Sequence, residues 1–157
     1  MKKVKNIYIL ILCFLFVYLA AFVGSIFTSV NVDSEWYYSI QPAITPPSWV
    51  FPIVWNILFF LVGLSLFFAW TKSNKKQKTK VAILFSVNLL LNVLWSFSFF
   101  FLQNPTLAFI DLIILGLSII AIILFVKKIE KKSAWLLVPY LLWISFAGIL
   151  NYLIAFG

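Results

Sequence analysis

Histidine and arginine are absent from the chain, cysteine occurs once (Cys13), methionine only at position 1, and the acidic residues are Asp33, Glu35, Asp111 and Glu130 alone. Each absence removes a class of chemistry. Without histidine there is no imidazole for a catalytic triad or a His/Cys metal site. With one cysteine there is no disulfide within the chain. Any small molecule held by this protein is therefore held by stacking, hydrogen bonds and shape.

What is present is apolar surface. Of 157 residues, 64% are hydrophobic, 20% aromatic and only 10% charged, with 18 Phe and 7 Trp. A soluble domain carries roughly 25% charged residues, so this composition belongs to a membrane protein. A bilayer core of about 30 Å needs about 20 apolar helical residues. Five runs reach that length, at approximately 7–27, 49–70, 81–102, 107–126 and 134–156. Only helices can satisfy their own backbone groups in lipid at this strand count, so the expected fold is an all-α integral membrane protein, a five-transmembrane-helix bundle forming one domain over 1–157. The first run exceeds the roughly 7–15 residue core of a signal peptide and is read as a retained span.

All twelve lysines fall on one side of such a bundle: Lys2, Lys3 and Lys5 before span one, Lys72 to Lys80 between spans two and three, Lys127 to Lys132 between spans four and five. By the positive-inside rule the N-terminus is expected inside and the C-terminus outside. The net charge of +8 is then a topology signal, with no basic face for nucleic acid. The outer connection, residues 28–48, is too long for a plain turn and carries Trp36, Tyr37, Tyr38 and three of the six prolines; it is expected to pack as a lid over the outer mouth. It leads into "ITPPSWVFPIVW" (Ile44 to Trp55), where Pro46 and Pro47 stiffen the descent, Ser48 is placed to cap, and Pro52 falls in the first helical turn.

Polar groups at bilayer depth are costly and normally face the bundle interior. Span three places Asn88, Asn92, Trp95, Ser96, Phe99 and Gln103 on one helical stripe, and span five does the same with Tyr140, Trp143, Ala147 and Asn151. Pro139 is expected to kink span five. Trp49, Trp70 and Trp135 suit the interfacial belts, while Trp55, Trp95 and Trp143 lie deeper and suit a pocket wall. Asp111 is the one carboxylate within a span. These groups can converge in the outer half of the bundle, beneath the lid.

The residues that carry a family likeness are "EWYYSIQPAITPPSWVFPIVWNILF" (Glu35 to Phe59), "NLLLNVLWSFSFF" (Asn88 to Phe100), "NPTLAFID" ending at Asp111, and "SAWLLVPYLLWISFAGILN" (Ser133 to Asn151). They resemble the tryptophan-rich sensory protein (TspO/MBR) family, to which the animal translocator protein belongs, over nearly the whole chain. The resemblance implies a bacterial-type member in a cell membrane, a homodimer, and a receptor-like porphyrin-binding pocket acting as sensor or scavenger. Its pocket residues carry over to Tyr37, Pro46, Pro47, Trp55, Phe59, Asn92, Trp95, Ser96, Asp111, Trp143 and Ala147.

The resemblance also implies, as an alternative, light-dependent breakdown of protoporphyrin IX, with Trp55 and Trp143 as the aromatic partners of the excited ring. No cofactor is obligatory. Without histidine, a metal-free tetrapyrrole is an easier guest than haem. Transport is the less favoured reading, since five spans show no inverted repeat. The animal proteins carry a cholesterol motif near the C-terminus, but here Leu150 and Tyr152 are followed by no basic residue, so sterol binding is not implied.

Overall fold

The computed structural model describes residues 2–157, with side chains from Asn6 onward. Lys2, Lys3 and Lys5, on which the orientation reading partly rests, have side chains outside the described set. The described chain is all-helical: α1 (Lys2–Ser29), α2 (Glu35–Ile40), α3 (Val50–Lys72), α4 (Lys75–Ser96) continued by a π-helical turn (Phe97–Phe101), α5 (Pro105–Val126), α6 (Lys131–Leu136) and α7 (Val138–Phe156). Five spans are long and apolar enough to cross a membrane: Asn6–Ser29, Val50–Lys72, Lys75–Phe101, Pro105–Val126 and Lys131–Phe156. Large apolar side chains such as Phe22, Leu124 and Leu142 are at least 60% exposed on their outer faces. Such a surface is tolerable only against hydrocarbon. The protein is an integral membrane protein built as a five-helix bundle.

Helix ends explain why the spans differ from the apolar runs. In span three, Asn74 Oδ1 accepts the Gln77 N–H and Gln77 Oε1 accepts the Asn74 N–H, both at 2.9 Å, a capping box that starts the helix at Lys75 among the lysines. Glu130 caps α6 in a similar way, accepting the Lys132 N–H at 3.2 Å. Asn104 caps α5 through Leu107 N–H at 3.0 Å, with Pro105 in the first turn. Gln103, expected on the span-three stripe, instead lies beyond the helix with φ 50° and is exposed. It occupies the left-handed position that lets the chain reverse in the short turn to α5.

Ser48 does not cap α3. Trp49 is the N-cap residue without a side-chain bond, and the Val50 N–H goes to the Pro47 carbonyl at 2.9 Å. Pro46 and Pro47 hold the backbone in a turn that satisfies this donor directly, and Pro52 sits in the first turn, where its missing N–H costs least. The Pro139 effect appears two residues earlier, as a break at Leu137 between α6 and α7. The π turn had no counterpart in the apolar pattern. Leu102 N–H bonds to Phe97 C=O at 2.9 Å, five residues back, and the widened turn buries Phe99 and Phe100 together, ring centres 4.9 Å apart.

Two clusters organise the interior. The main core joins α1, α3, α4, α5, α6 and α7 through Val17, Val62, Phe85, Ile119, Ala134 and Tyr140, each at most 5% exposed. A smaller cluster, Tyr37, Phe99, Phe100 and Ala108 with Trp36 and Ile40 against it, seats α2 on the π turn. The 28–48 connection is thereby packed onto one end of the bundle, opposite the end carrying the described lysines.

Candidate functional site

Beneath α2 lies a cavity of about 780 Å³, within the roughly 300–1,000 Å³ of small-molecule sites. α1 contributes Tyr18, Ala21, Phe22 and Ser25 to its wall, the connection Tyr37, Gln41 and Pro46, α3 Phe51, Trp55 and Phe59, α4 and the π turn Asn92, Trp95, Ser96, Phe99 and Phe100, and α7 Ala147, Leu150 and Asn151. Two stacked aromatic pairs face the space. Trp55 and Phe59 have ring centres 5.5 Å apart at 28°, and Trp95 and Phe99 5.3 Å apart at 24°. Tyr37 closes the mouth edge-on to Phe100 at 5.3 Å, and burial pushes its phenol above the ordinary range.

Polar atoms in the wall are few and mostly committed. Trp95 Nε1–H donates to Asn151 Oδ1 at 3.0 Å, and Asn151 Nδ2 donates to the Pro105 carbonyl at 2.8 Å. Both bonds are half-buried ties between helices, and they leave Trp95 its ring face but no free donor. Asn92 Nδ2 donates to Tyr140 Oη at 3.1 Å, which donates to Asn88 Oδ1 at 3.3 Å. Among the described residues, Asp33 is the one charged side chain in the wall and no lysine reaches it. The cavity is therefore an aromatic slot with one acidic side chain and no basic one in its wall.

Of the residues singled out from the sequence, Tyr37, Pro46, Trp55, Phe59, Asn92, Trp95, Ser96 and Ala147 line this cavity; Pro47, Asp111 and Trp143 do not. Pro47 is exposed on the connection next to Pro46. Trp143 stands one ring behind the wall, edge-on to Phe51 at 5.8 Å, with its indole N–H buried and unpartnered. Asp111 is buried on α5, which gives no residue to the wall, and its Oδ2 is unpartnered. The α1 wall was not anticipated. Span one has no deep Trp or Asn to mark a face; Ser25, Thr28 and Ser29, each bonded back to its own helix, and Tyr18 are its polar lining residues.

The wall combines a lid helix after span one, a proline-led α3 bearing Trp55, and an Asn92–Trp95–Ser96 face on α4. Residues 12–156 fit the profile of the TspO/MBR family. The chain belongs to the TspO/MBR family. It is 39% identical over 153 residues to the tryptophan-rich protein TspO of Chlorobaculum tepidum, covering 96% of each chain. A protein of the same name from Archaeoglobus fulgidus is 39% identical over 150 residues, covering 95% of this chain and 96% of that one. The translocator protein of Bos taurus is 31% identical over 137 residues, covering 85% and 80%.

Proposed function

We propose that the protein binds a flat tetrapyrrole, of the protoporphyrin IX kind, in the cavity beneath α2, as a membrane sensor or scavenger. The observation that carries this reading is the pair of stacked aromatic walls, Trp55 with Phe59 and Trp95 with Phe99, around a largely apolar space of about 780 Å³. A macrocycle gains dispersion and stacking on such faces, while Asn92 and Ser96 supply a few directional contacts. The lysine distribution supports an orientation with the cavity mouth outside. A homodimer is the assembly that the family resemblance suggests.

The test is titration of the purified protein with protoporphyrin IX in the dark, following tryptophan fluorescence. Saturable micromolar quenching that weakens on Trp55→Phe is expected; absence of quenching in the unaltered protein overturns the reading. Photo-oxidative breakdown is the second reading, favoured by Trp55 in the wall and Trp143 one ring behind it on Phe51. Under illumination it requires a new spectral product that is lost on Trp55→Phe and Trp143→Phe.

A further inference from the structure

The Asn92 amide, in the cavity wall, stands at one end of a hydrogen-bond chain whose direction is set by its far end. Ser118 Oγ lies 2.7 Å from the Leu115 carbonyl oxygen. A carbonyl can only accept, and two oxygens at that distance need a proton between them, so Ser118 spends its single O–H on Leu115. Ser118 must then accept from Asn88 Nδ2, 2.8 Å away, which turns Asn88 Oδ1 toward Tyr140. Tyr140 gives its O–H to Asn88 Oδ1 at 3.3 Å and has only lone pairs left for Asn92, whose Nδ2 donates to it at 3.1 Å. The reverse polarity would leave the Ser118–Leu115 oxygens facing each other without a proton. Asn92 Oδ1 is left over. It accepts no bond among the described residues and, unlike the sealed Asp111 Oδ2 and Trp143 Nε1, keeps access to the cavity that Asn92 lines.

We infer that Asn92 Oδ1 is a fixed hydrogen-bond acceptor at the cavity floor, and that Tyr140, Asn88 and Ser118 are positioning residues that hold it so. The floor selects a ligand edge bearing an N–H or O–H donor, which Asn92 Oδ1 is placed to accept. A guest with such a donor edge lies with that edge inward. The inference rests on the cavity being the ligand site of the proposed function, and it adds the chemistry of the selected edge.

The test uses two tricyclic probes of the same shape, carbazole with a ring N–H and dibenzofuran with a ring oxygen. They are titrated into the protein in lipid nanodiscs, with partition into empty discs subtracted. The unaltered protein is expected to prefer carbazole by about tenfold, the size of one net hydrogen bond. Ser118→Ala, remote from the cavity wall, is expected to bring that ratio to within about twofold of unity, because Asn88 is then free to turn over. Tyr140→Phe should do the same by releasing Asn92 directly. A purely structural role for Ser118 would lower thermal stability and leave the ratio untouched. Equal affinity for the two probes in the unaltered protein, or an unchanged ratio in Ser118→Ala, overturns the inference. A carbazole preference without protoporphyrin quenching upholds the fixed acceptor and removes the tetrapyrrole; porphyrin quenching without the preference does the opposite.

Discussion

The indole N–H of Trp95 is committed to Asn151 Oδ1 across the α4–α7 interface at 3.0 Å, and Asn151 in turn holds the Pro105 carbonyl at the start of α5. One asparagine therefore ties together three helices at the lid end of the bundle, and Trp95 offers the cavity a face rather than a donor. Two tryptophans in the same wall thus have different roles. Trp55 sits on a single helix face beside Phe59, and its side chain makes no hydrogen bond among the described residues.

The two are separable by mutation. Trp95→Phe keeps an aromatic face but orphans Asn151 Oδ1, so thermal stability in detergent should fall by about 0.6–2 kcal/mol, the range of interhelical polar contacts in membranes. Trp55→Phe should leave stability within about 0.5 kcal/mol, as a change made without breaking a bond, yet weaken porphyrin quenching. Equal stability losses for both variants would show that Trp95 and Asn151 are not coupled in this way.

Much of this was legible in the sequence, for physical reasons that can be traced residue by residue. Asn88, Asn92 and Asn151 had to face inward because an amide cannot be left in hydrocarbon, and all three are buried. What they bond to was not legible, since periodicity fixes a face and says nothing of partners. Asp111 and Trp143 satisfy the same inward rule, yet Asp111 sits on a helix that does not reach the cavity and Trp143 points behind Phe51. The π turn and the α1 wall escaped because neither changes the apolar pattern. Span three began six residues early because a capping box outweighed hydropathy at Asn74.

Tyr37 links the lid to pH. Its folded-state phenol is raised above the ordinary value of 10.0 by burial against the π turn. Unfolded or undocked, it ionises near the ordinary value; docked, it stays protonated to higher pH. The docked state therefore binds more protons in that interval, and its stability is intact below pH 10 and lost as pH rises through the raised value. Porphyrin affinity is expected to drop above pH 10 in the unaltered protein and to hold in Tyr37→Phe, measured by the same quenching titration. A drop of equal size in both would assign the effect elsewhere.

Gly63 sets how closely α1 approaches α3. A Cβ at this position would stand 2.8 Å from two ring carbons of Phe14, whose ring also packs on Phe60 with centres 5.2 Å apart. Gly63→Ala gains about 1 kcal/mol of helix propensity but overpacks the crossing at a cost of about 1–3 kcal/mol. A net loss of thermal stability is expected, and Phe14→Leu added to Gly63→Ala should restore it by giving the methyl room. If Gly63→Ala alone is stabilising, the ring yields freely and the crossing is not set by this contact.

At the lysine-bearing end, Ser65 on α3 and Ser133 on α6 form a reciprocal pair, both fully buried. Ser65 Oγ reaches the Ser133 carbonyl at 2.9 Å and Ser133 Oγ the Ser65 carbonyl at 2.8 Å, with the hydroxyls 2.9 Å apart. Each hydroxyl has one proton and each sits where water is absent, so removing one leaves the other with a changed set of partners. Removing both leaves two methyl groups facing each other, with the carbonyls still in their helices. Single Ser65→Ala or Ser133→Ala variants are therefore expected to lose about 0.6–2 kcal/mol, and the double variant less than the sum of the two, since replacing both partners by apolar groups approaches neutrality. Thermal unfolding of the four proteins gives the coupling directly. Strict additivity would mean that each serine is bonded to its neighbour's backbone independently and that the hydroxyl-to-hydroxyl contact contributes nothing.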